Sequence, residues 1–184
     1  MKRLMTNQAI FDMNQAFKRA MGEKLFTGRI SSMFRYAMHK NLDTTDKEVS
    51  SMVDAFRPDD EYMKYTNELG EIAKTFGLPP LVNIKEFEAA VRGLPPEKNA
   101  EFTKLQTDLA DRFKEAIERQ RDNDAELATF MKEKVEIDLA MVPAEQCPEI
   151  TGDAAIYIFD AIFPMLIPAK ESDNLSDIVP YECK

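Results

Sequence analysis

The sequence has 184 residues, of which 44% are hydrophobic and 31% charged, and its formal net charge is −9. This apolar content is too high for a disordered chain, and two cysteines cannot build a disulfide framework or a cysteine-rich zinc site. No apolar run reaches the roughly 20 residues that span a bilayer, and the first residues lack a signal-peptide core. We therefore expect a cytoplasmic, non-secreted protein with no membrane partner, built as a single domain.

Basic residues are concentrated near the start of the chain. Residues 1–40 contain eight basic and two acidic residues, so the rest of the chain carries a net charge of −15. A basic segment with interleaved aromatic residues is typical of nucleic-acid binding, for which Lys24, Arg29 and Arg35 are the candidate contacts. The alternative is that the basic helices pack against acidic helices of the same chain. The acidic remainder would also weaken general affinity for phosphate backbones.

Apolar residues at steps of three and four predict a mainly α fold, with six or seven helices in one compact domain over residues 1–168. The helices are expected at residues 7–21, 23–40, 44–58, 60–76, 85–92 and 96–134, followed by an apolar helix at about 152–166. Thr6 or Asn7 is expected to cap the first helix, and Asn41 to end the second. The first two helices contain most of the basic segment.

Two short segments have the character of β-strands. Residues 81–84 are β-prone and bounded by prolines, and residues 135–141 alternate between apolar and polar or small side chains. We expect the two segments to pair as a small two-stranded ribbon that joins the ends of the long helix at 96–134. Such a ribbon is stable only when it packs on helices.

The most hydrophobic segment is residues 152–166, which are apolar on nearly all sides of a helix. The segment is too short to span a membrane, so it is expected to be either a buried central helix or an oligomer interface. The candidate interface residues are Ile156, Ile158, Phe159, Ile162 and Phe163. The last residues, 169–184, are polar and acidic, and we expect them to form a tail.

Few residues offer catalytic chemistry. His39 is the single histidine, and the six glycines fall separately, so the sequence contains neither a histidine-based triad nor a phosphate-binding loop. Glu68 and Glu71 lie one helical turn apart and could chelate Mg²⁺, as the Glu-x-x-Glu pairs of all-α nucleotide pyrophosphohydrolases do. The second Glu-x-x-Asp pair of those enzymes is missing here. The sequence therefore favours a protein that is not an enzyme and holds no metal or cofactor.

The order of the predicted elements resembles that of a known group of proteins. A helical half contains Phe34-Arg-Tyr-Ala and Asp60-Glu-Tyr-Met-Lys-Tyr, and a long helix runs into Glu133-Lys-Val-Glu-Ile-Asp-Leu before the terminal apolar helix. Across roughly residues 25–165, the chain is in this respect similar to small, mostly helical proteins encoded by tailed bacteriophages, which generally lack an assigned function. The resemblance implies phage origin, the host cytoplasm as location, and an accessory or host-directed role. It supplies no catalytic residues.

These features favour a non-enzymatic interaction protein that binds another protein or a second copy of itself. A host-directed inhibitor and a virion or assembly component both satisfy this description. Nucleic-acid binding through residues 1–40 is one alternative. A Mg-dependent nucleotide hydrolase that uses Glu68 and Glu71 is the other.

Overall fold

The computed structural model describes residues 1–168, and helices make up most of them. The helices are α1 (Asn7–Gly22), α2 (Ser32–Ala55), α3 (Asp60–Thr75), α4 (Ile84–Arg92), α5 (Pro96–Arg112), α6 (Lys114–Phe130) and α7 (Ala155–Ile162). The strands are β1 (Lys2–Thr6), β2 (Phe26–Thr27), β3 (Lys134–Asp138), β4 (Val142–Pro143), β5 (Glu149–Ile150) and β6 (Leu166–Ile167). The predicted mainly α fold is confirmed. The predicted tail at 169–184 lies outside the described residues.

The chain divides into two compact units. Unit 1 contains residues 1–55 and, of the described chain, residues 128–168, whereas unit 2 contains Phe56–Leu127. The chain thus leaves unit 1 after α2, forms unit 2, and returns to complete unit 1. Each unit has its own cluster of buried apolar side chains. The domain predicted over residues 1–168 therefore contains two hydrophobic cores.

Helix α1 is the most deeply buried helix of unit 1, where it packs against α2 and α7. Its buried apolar residues are Ile10, Met13, Ala16, Phe17 and Ala20, at the three- and four-residue steps of one helical face. The hydroxyl of Thr6 accepts a hydrogen bond from the backbone N–H of Ala9 at 3.1 Å. This contact confirms the predicted cap, because it satisfies one of the donors that a helix leaves free at its start.

The β-structure of unit 1 consists of three separate two-stranded pairs. β1 pairs with β3 and β2 with β5 in antiparallel fashion, and β4 pairs with β6 in parallel. The predicted strand within residues 135–141 forms as β3, but its predicted partner is wrong. Residues 81–84 lie in unit 2, where the Asn83 side chain caps α4 by accepting from the backbone N–H of Glu86 at 3.3 Å. The partner of β3 is instead β1, at the start of the chain.

Helix α2 corrects the predictions of one helix over 23–40 and another from residue 44. It begins later, at Ser32, because residues 23–31 form a turn and the short strand β2, and Lys24 and Gly28 there have positive φ angles of 54° and 74°. It then runs without a break to Ala55. Asn41 does not end it, because the side chain of Asn41 is buried and bonds to the backbone of Ala140.

Unit 2 contains α3, α4, α5 and most of α6. Its core is centred on Phe102, whose ring is approached edge-on by the rings of Phe76 and Phe87, with centroids 5.4 and 6.1 Å away. The long helix predicted over 96–134 is two helices instead. Phe113, with φ of −111° and ψ of 20°, separates α5 from α6, which ends at Phe130.

Candidate functional site

Helix α7 has apolar side chains on two opposite sides. Ile158 and Ile162 and, at the N-cap, Ala154 recur at every fourth position on the side that packs against α1, with exposed fractions of 0%, 0% and 7%. Ile158 and Ile162 were candidate interface residues from the sequence, and the structure places both in the core of unit 1. The apolar side chains on the inward side of α7 are therefore explained by their packing in the core.

The other three candidate residues lie on the outer side of α7 and its 3₁₀ continuation. Ile156, Phe159 and Phe163 are 79%, 42% and 56% exposed. Their spacing of three and four residues places them in one row, and the rings of Phe159 and Phe163 are 6.0 Å apart. We refer to Ile156, Phe159 and Phe163 as the α7 face. Three large apolar side chains exposed side by side form a patch. Such patches, unlike isolated exposed apolar residues, often mark binding surfaces.

A cleft lies at each end of the α7 face. One has a volume of about 310 Å³ and is lined by Ile156 and Phe159 together with Pro148, Ile150 and Ala155. The other has a volume of about 460 Å³ and includes Phe163 in its lining. Phe159 lines the smaller cleft and Phe163 the larger one, and their neighbouring rings lie between the two clefts.

The larger cleft, which we call the β1 cleft, has a mixed lining. It is formed by Phe163, Pro164, Leu166 and Pro168 on the α7 side, and by Arg3, Leu4, Met5, Thr6, Ala9 and Lys134 on the β1 side. Sequence reasoning counted Arg3 only as part of the basic segment and missed its position here. The sequence pattern that would predict β1 is weak, because two of the five residues of Lys2–Thr6 are charged and the partner strand lies far along the chain.

The basic candidates for nucleic-acid binding are only partly brought together. Lys24, Arg29 and Arg35 are all exposed. Arg29 and Arg35 line one cleft of about 400 Å³ at the start of α2, together with Ile30, Ser31 and Ser32, but Lys24 is not part of its lining. The hydroxyl of Ser31 already caps α2 by accepting from the backbone N–H of Phe34 at 3.0 Å.

The carboxylates of Glu68 and Glu71 each have a cationic partner. Glu68 pairs with Arg112 at 3.1 Å, and Glu71 pairs with Lys74 one turn further along α3. Within residues 1–168, no three histidine, cysteine, aspartate or glutamate side chains are grouped so that they could hold a metal ion. The geometry thus pairs both glutamates with cations, Glu71 on the exposed side of α3 and Glu68 in a partly buried position.

The described part of the chain contains one free thiol, that of Cys147. Burial raises the pKa of this thiol, which lowers the fraction present as nucleophilic thiolate at neutral pH. His39 lies on the exposed side of α2. The α7 face and its two clefts are therefore the candidate functional site of unit 1.

Among the helices of residues 1–168, none has a stretch both long and apolar enough to cross a lipid bilayer. Comparison of the chain with protein-family models, with curated proteins and with solved structures found no match.

Proposed function

We propose that this chain is a non-enzymatic interaction protein that binds a short segment of another protein along the α7 face. The observation that carries the proposal is the exposed row of Ile156, Phe159 and Phe163, which continues into a cleft at each end. Water-exposed apolar surface of this kind is stabilised when a partner covers it, because the apolar area is removed from water.

The size of the surface favours a segment over a second folded copy of the chain. Three partly exposed side chains of this size present roughly 300–400 Å² of apolar surface. A stable interface between two folded proteins buries about 800 Å² on each partner. A helix or extended segment that lies in a groove needs less area, since a few anchoring side chains carry most of its affinity.

The biological setting of the proposal follows from the resemblance to phage proteins. In that setting the partner is a bacterial protein, and the chain acts in the host cytoplasm as an accessory or host-directed factor. A role in the virion or its assembly requires the same surface but a phage partner. The two roles differ in the identity of the bound protein, which the experiment below determines.

The test places the photoreactive residue p-benzoylphenylalanine at position 159 of the full-length protein, which is then irradiated in bacterial lysate. The control places it at position 53, because Val53 is 56% exposed on α2 and outside the α7 face. We expect one protein to be cross-linked from position 159 and not from position 53. That protein is identified by mass spectrometry, purified, and titrated against the unmodified chain.

The decisive comparison is the affinity of the purified partner for Ile156→Ser. We expect a loss of at least tenfold, because Ile156 is the most exposed side chain of the α7 face, at 79%, and we expect its substitution to leave the fold intact. Equal affinity for this variant and the unmodified chain would overturn the proposal. So would concentration-dependent self-association that Ile156→Ser abolishes in light scattering, because the occupant would then be a second copy.

A further inference from the structure

The strand at one wall of the β1 cleft has an open edge. Within the described residues β1 pairs with β3 and with no other strand. The backbone N–H of Asn7 bonds to the Glu133 carbonyl and that of Leu139 to the Met1 carbonyl, both across this pair. In an antiparallel pair such bonds alternate along the strand, so the N–H and C=O of Leu4 point to the opposite, open edge.

The cleft follows this strand. Four consecutive residues, from Arg3 to Thr6, contribute to its lining, and the other wall has the apolar side chains of Phe163, Pro164, Leu166 and Pro168. An unpaired strand edge beside an apolar groove is the arrangement to which an extended peptide adds as a further strand. The backbone of the peptide then bonds to the edge, and every second side chain enters the groove.

Arg3 adds a charge requirement to this groove. Its side chain is partly buried, and its Nε atom is shielded from solvent and has no hydrogen-bond partner among the described residues. Arg3 lies opposite Ile137, on the side of β1 that also holds the buried Met5. A partly buried arginine without an acceptor is unfavourable, and a carboxylate is the acceptor whose two oxygens match the geometry of a guanidinium group.

Lys134 and Lys2 provide a comparison on the same strand pair. Lys134 lines the cleft and forms no ion pair with the residues the structure describes. Lys2, outside the cleft, is neutralised by Glu136, with Nζ and Oε1 2.6 Å apart. The cleft thus has two cationic lining residues, Arg3 and Lys134, that form no ion pair within residues 1–168, in a chain whose overall charge is −9. Such a lining is complementary to a negatively charged ligand.

We propose that the β1 cleft binds an extended protein segment that adds a strand to the open edge of β1 and places an aspartate or glutamate carboxylate against Arg3. The inference rests on the proposed function, since it specifies the chemistry of the bound segment. The Phe159–Phe163 contact connects the cleft to the α7 face, so one partner segment can occupy both. A free small carboxylate would satisfy Arg3 but would leave the strand edge and the apolar wall uncovered.

The probe is a library of random 12-residue peptides displayed on yeast and selected against the full-length protein. We expect the selected sequences to share alternating apolar residues and one acidic residue. A fluorescent synthetic peptide of the most enriched sequence is then compared with the analogue in which that acid is replaced by its amide. Binding of both peptides is measured by fluorescence anisotropy to the unmodified protein, to Arg3→Gln and to Lys2→Gln.

The expected result is a double-mutant cycle with strong coupling. The amide analogue should bind the unmodified protein at least tenfold more weakly, and Arg3→Gln should weaken the acidic peptide by a similar factor. Arg3→Gln should change the affinity of the amide analogue by less than twofold, and Lys2→Gln should leave both affinities unchanged. The comparison of the acidic peptide with its amide analogue uses the unmodified protein. It therefore tests the charge requirement even if Arg3→Gln is unstable.

Strand addition has a separate readout. N-methylation of the peptide at alternate residues removes the N–H groups that would bond to β1, and we expect it to abolish binding in one register and not in the other. Equal binding of both methylated peptides would overturn this part of the proposal. A variant that ends at Pro168 should bind within twofold, and a gain above tenfold would identify residues 169–184 as the occupant instead.

Failure of this inference differs from failure of the proposed function. Selected peptides that lose affinity in Ile156→Ser but bind equally to Arg3→Gln would overturn the charge requirement and support the α7 face. If no peptide is enriched but a partner is still cross-linked from position 159, the inference about the β1 cleft is overturned and the proposed function is supported. Enrichment of no peptide and no cross-linked partner would overturn both.

Discussion

Three asparagine side chains are buried in the core of unit 1, and each is satisfied by a specific hydrogen bond. Asn7 donates to the carbonyl of Phe130 at 2.9 Å, and Asn14 donates to the hydroxyl of Thr45 and the carboxylate of Asp46. Asn41 both donates to and accepts from the backbone of Ala140, at 2.9 and 2.7 Å. Buried polar groups paired in this way fix which segments lie together, because any other arrangement leaves them unpaired.

The contact of Asn41 predicts a large effect of a small substitution. Asn41→Ala leaves both the N–H and the C=O of Ala140 without their partner, so we expect the free energy of unfolding to fall by about 2–4 kcal/mol. Urea unfolding followed by circular dichroism measures this loss. The neighbouring exposed Lys40→Ala serves as the control and should change the value by less than about 0.5 kcal/mol. Equal stability of the two variants would contradict the role of Asn41.

Asp46 predicts a dependence of stability on pH. The Lys18 ammonium, 2.6 Å away, and then the Asn14 amide hold the pKa of Asp46 below its ordinary value. A carboxyl with a lower pKa in the folded state stabilises the fold above its unfolded pKa, near 3.9, and this contribution is lost as the pH falls through the folded pKa. Both side chains are partly exposed, so the contribution is below about 1 kcal/mol.

The measurement compares urea unfolding of the unmodified protein and of Asp46→Asn at pH 6 and at pH 3. We expect the unmodified protein to lose more stability than the variant between these two values. Other carboxylates titrate equally in both proteins, so the difference between the two losses isolates Asp46. Identical losses would show that the titration of Asp46 does not contribute to the change in stability between these pH values.

At the scale of elements, α7 shows how one short helix contributes to both core and surface. Ile158 and Ile162 fill the core against α1, while Ile156, Phe159 and Phe163 remain on the outside. An eight-residue helix is marginal alone, so its inward side chains supply the stability that holds the outward row in place. Substitutions on its two sides are therefore expected to have different consequences.

This division predicts that Ile158→Asp unfolds unit 1, because the new carboxylate would be buried without a partner at a position that is 0% exposed. We expect a loss of more than about 4 kcal/mol in unfolding free energy. Ile156→Ser should instead retain the unmodified unfolding curve within about 0.5 kcal/mol. An Ile158→Asp variant that stays folded and changes only its oligomeric state would show that Ile158 lies in an interface and would contradict its assignment to the core.

At the scale of the whole molecule, unit 1 is assembled from two distant parts of the chain and unit 2 from one continuous part. Unit 1 depends on pairing such as that of β1 with β3, which joins residues separated by more than a hundred positions. Unit 2 is formed by helices that follow one another directly, so its contacts are closer in sequence. The proposed binding surface belongs entirely to unit 1.

Because the two units have separate cores, we expect a substitution in one core to destabilise its own unit first. Phe102→Ala removes the central, fully buried ring of unit 2 and should cost about 3–5 kcal/mol there. Hydrogen exchange measured by mass spectrometry should show faster exchange in α3, α4 and α5, with α1 and β3 retaining their protection. Equal acceleration in both units would mean that they unfold as one cooperative structure.

The sequence located the apolar segment of α7 but not its two sides. A segment that is apolar nearly all round has no periodicity from which an inward side can be read. The sequence likewise missed β1, since two of its five residues are charged and its partner β3 is more than a hundred residues away. Arg3 therefore could not be recognised as part of a cleft, because its neighbours there come from both ends of unit 1.

By itself the sequence determined the local features of this protein. It predicted the helical class, a cap at Thr6 or Asn7, the strand at β3 and the position of the apolar helix, because periodicity and capping depend on residues within a few positions of each other. Only the tertiary structure decided that α2 continues through Asn41, that β3 pairs with β1, and which side chains of α7 remain exposed. These outcomes depend on contacts between residues far apart in sequence, which no local pattern records.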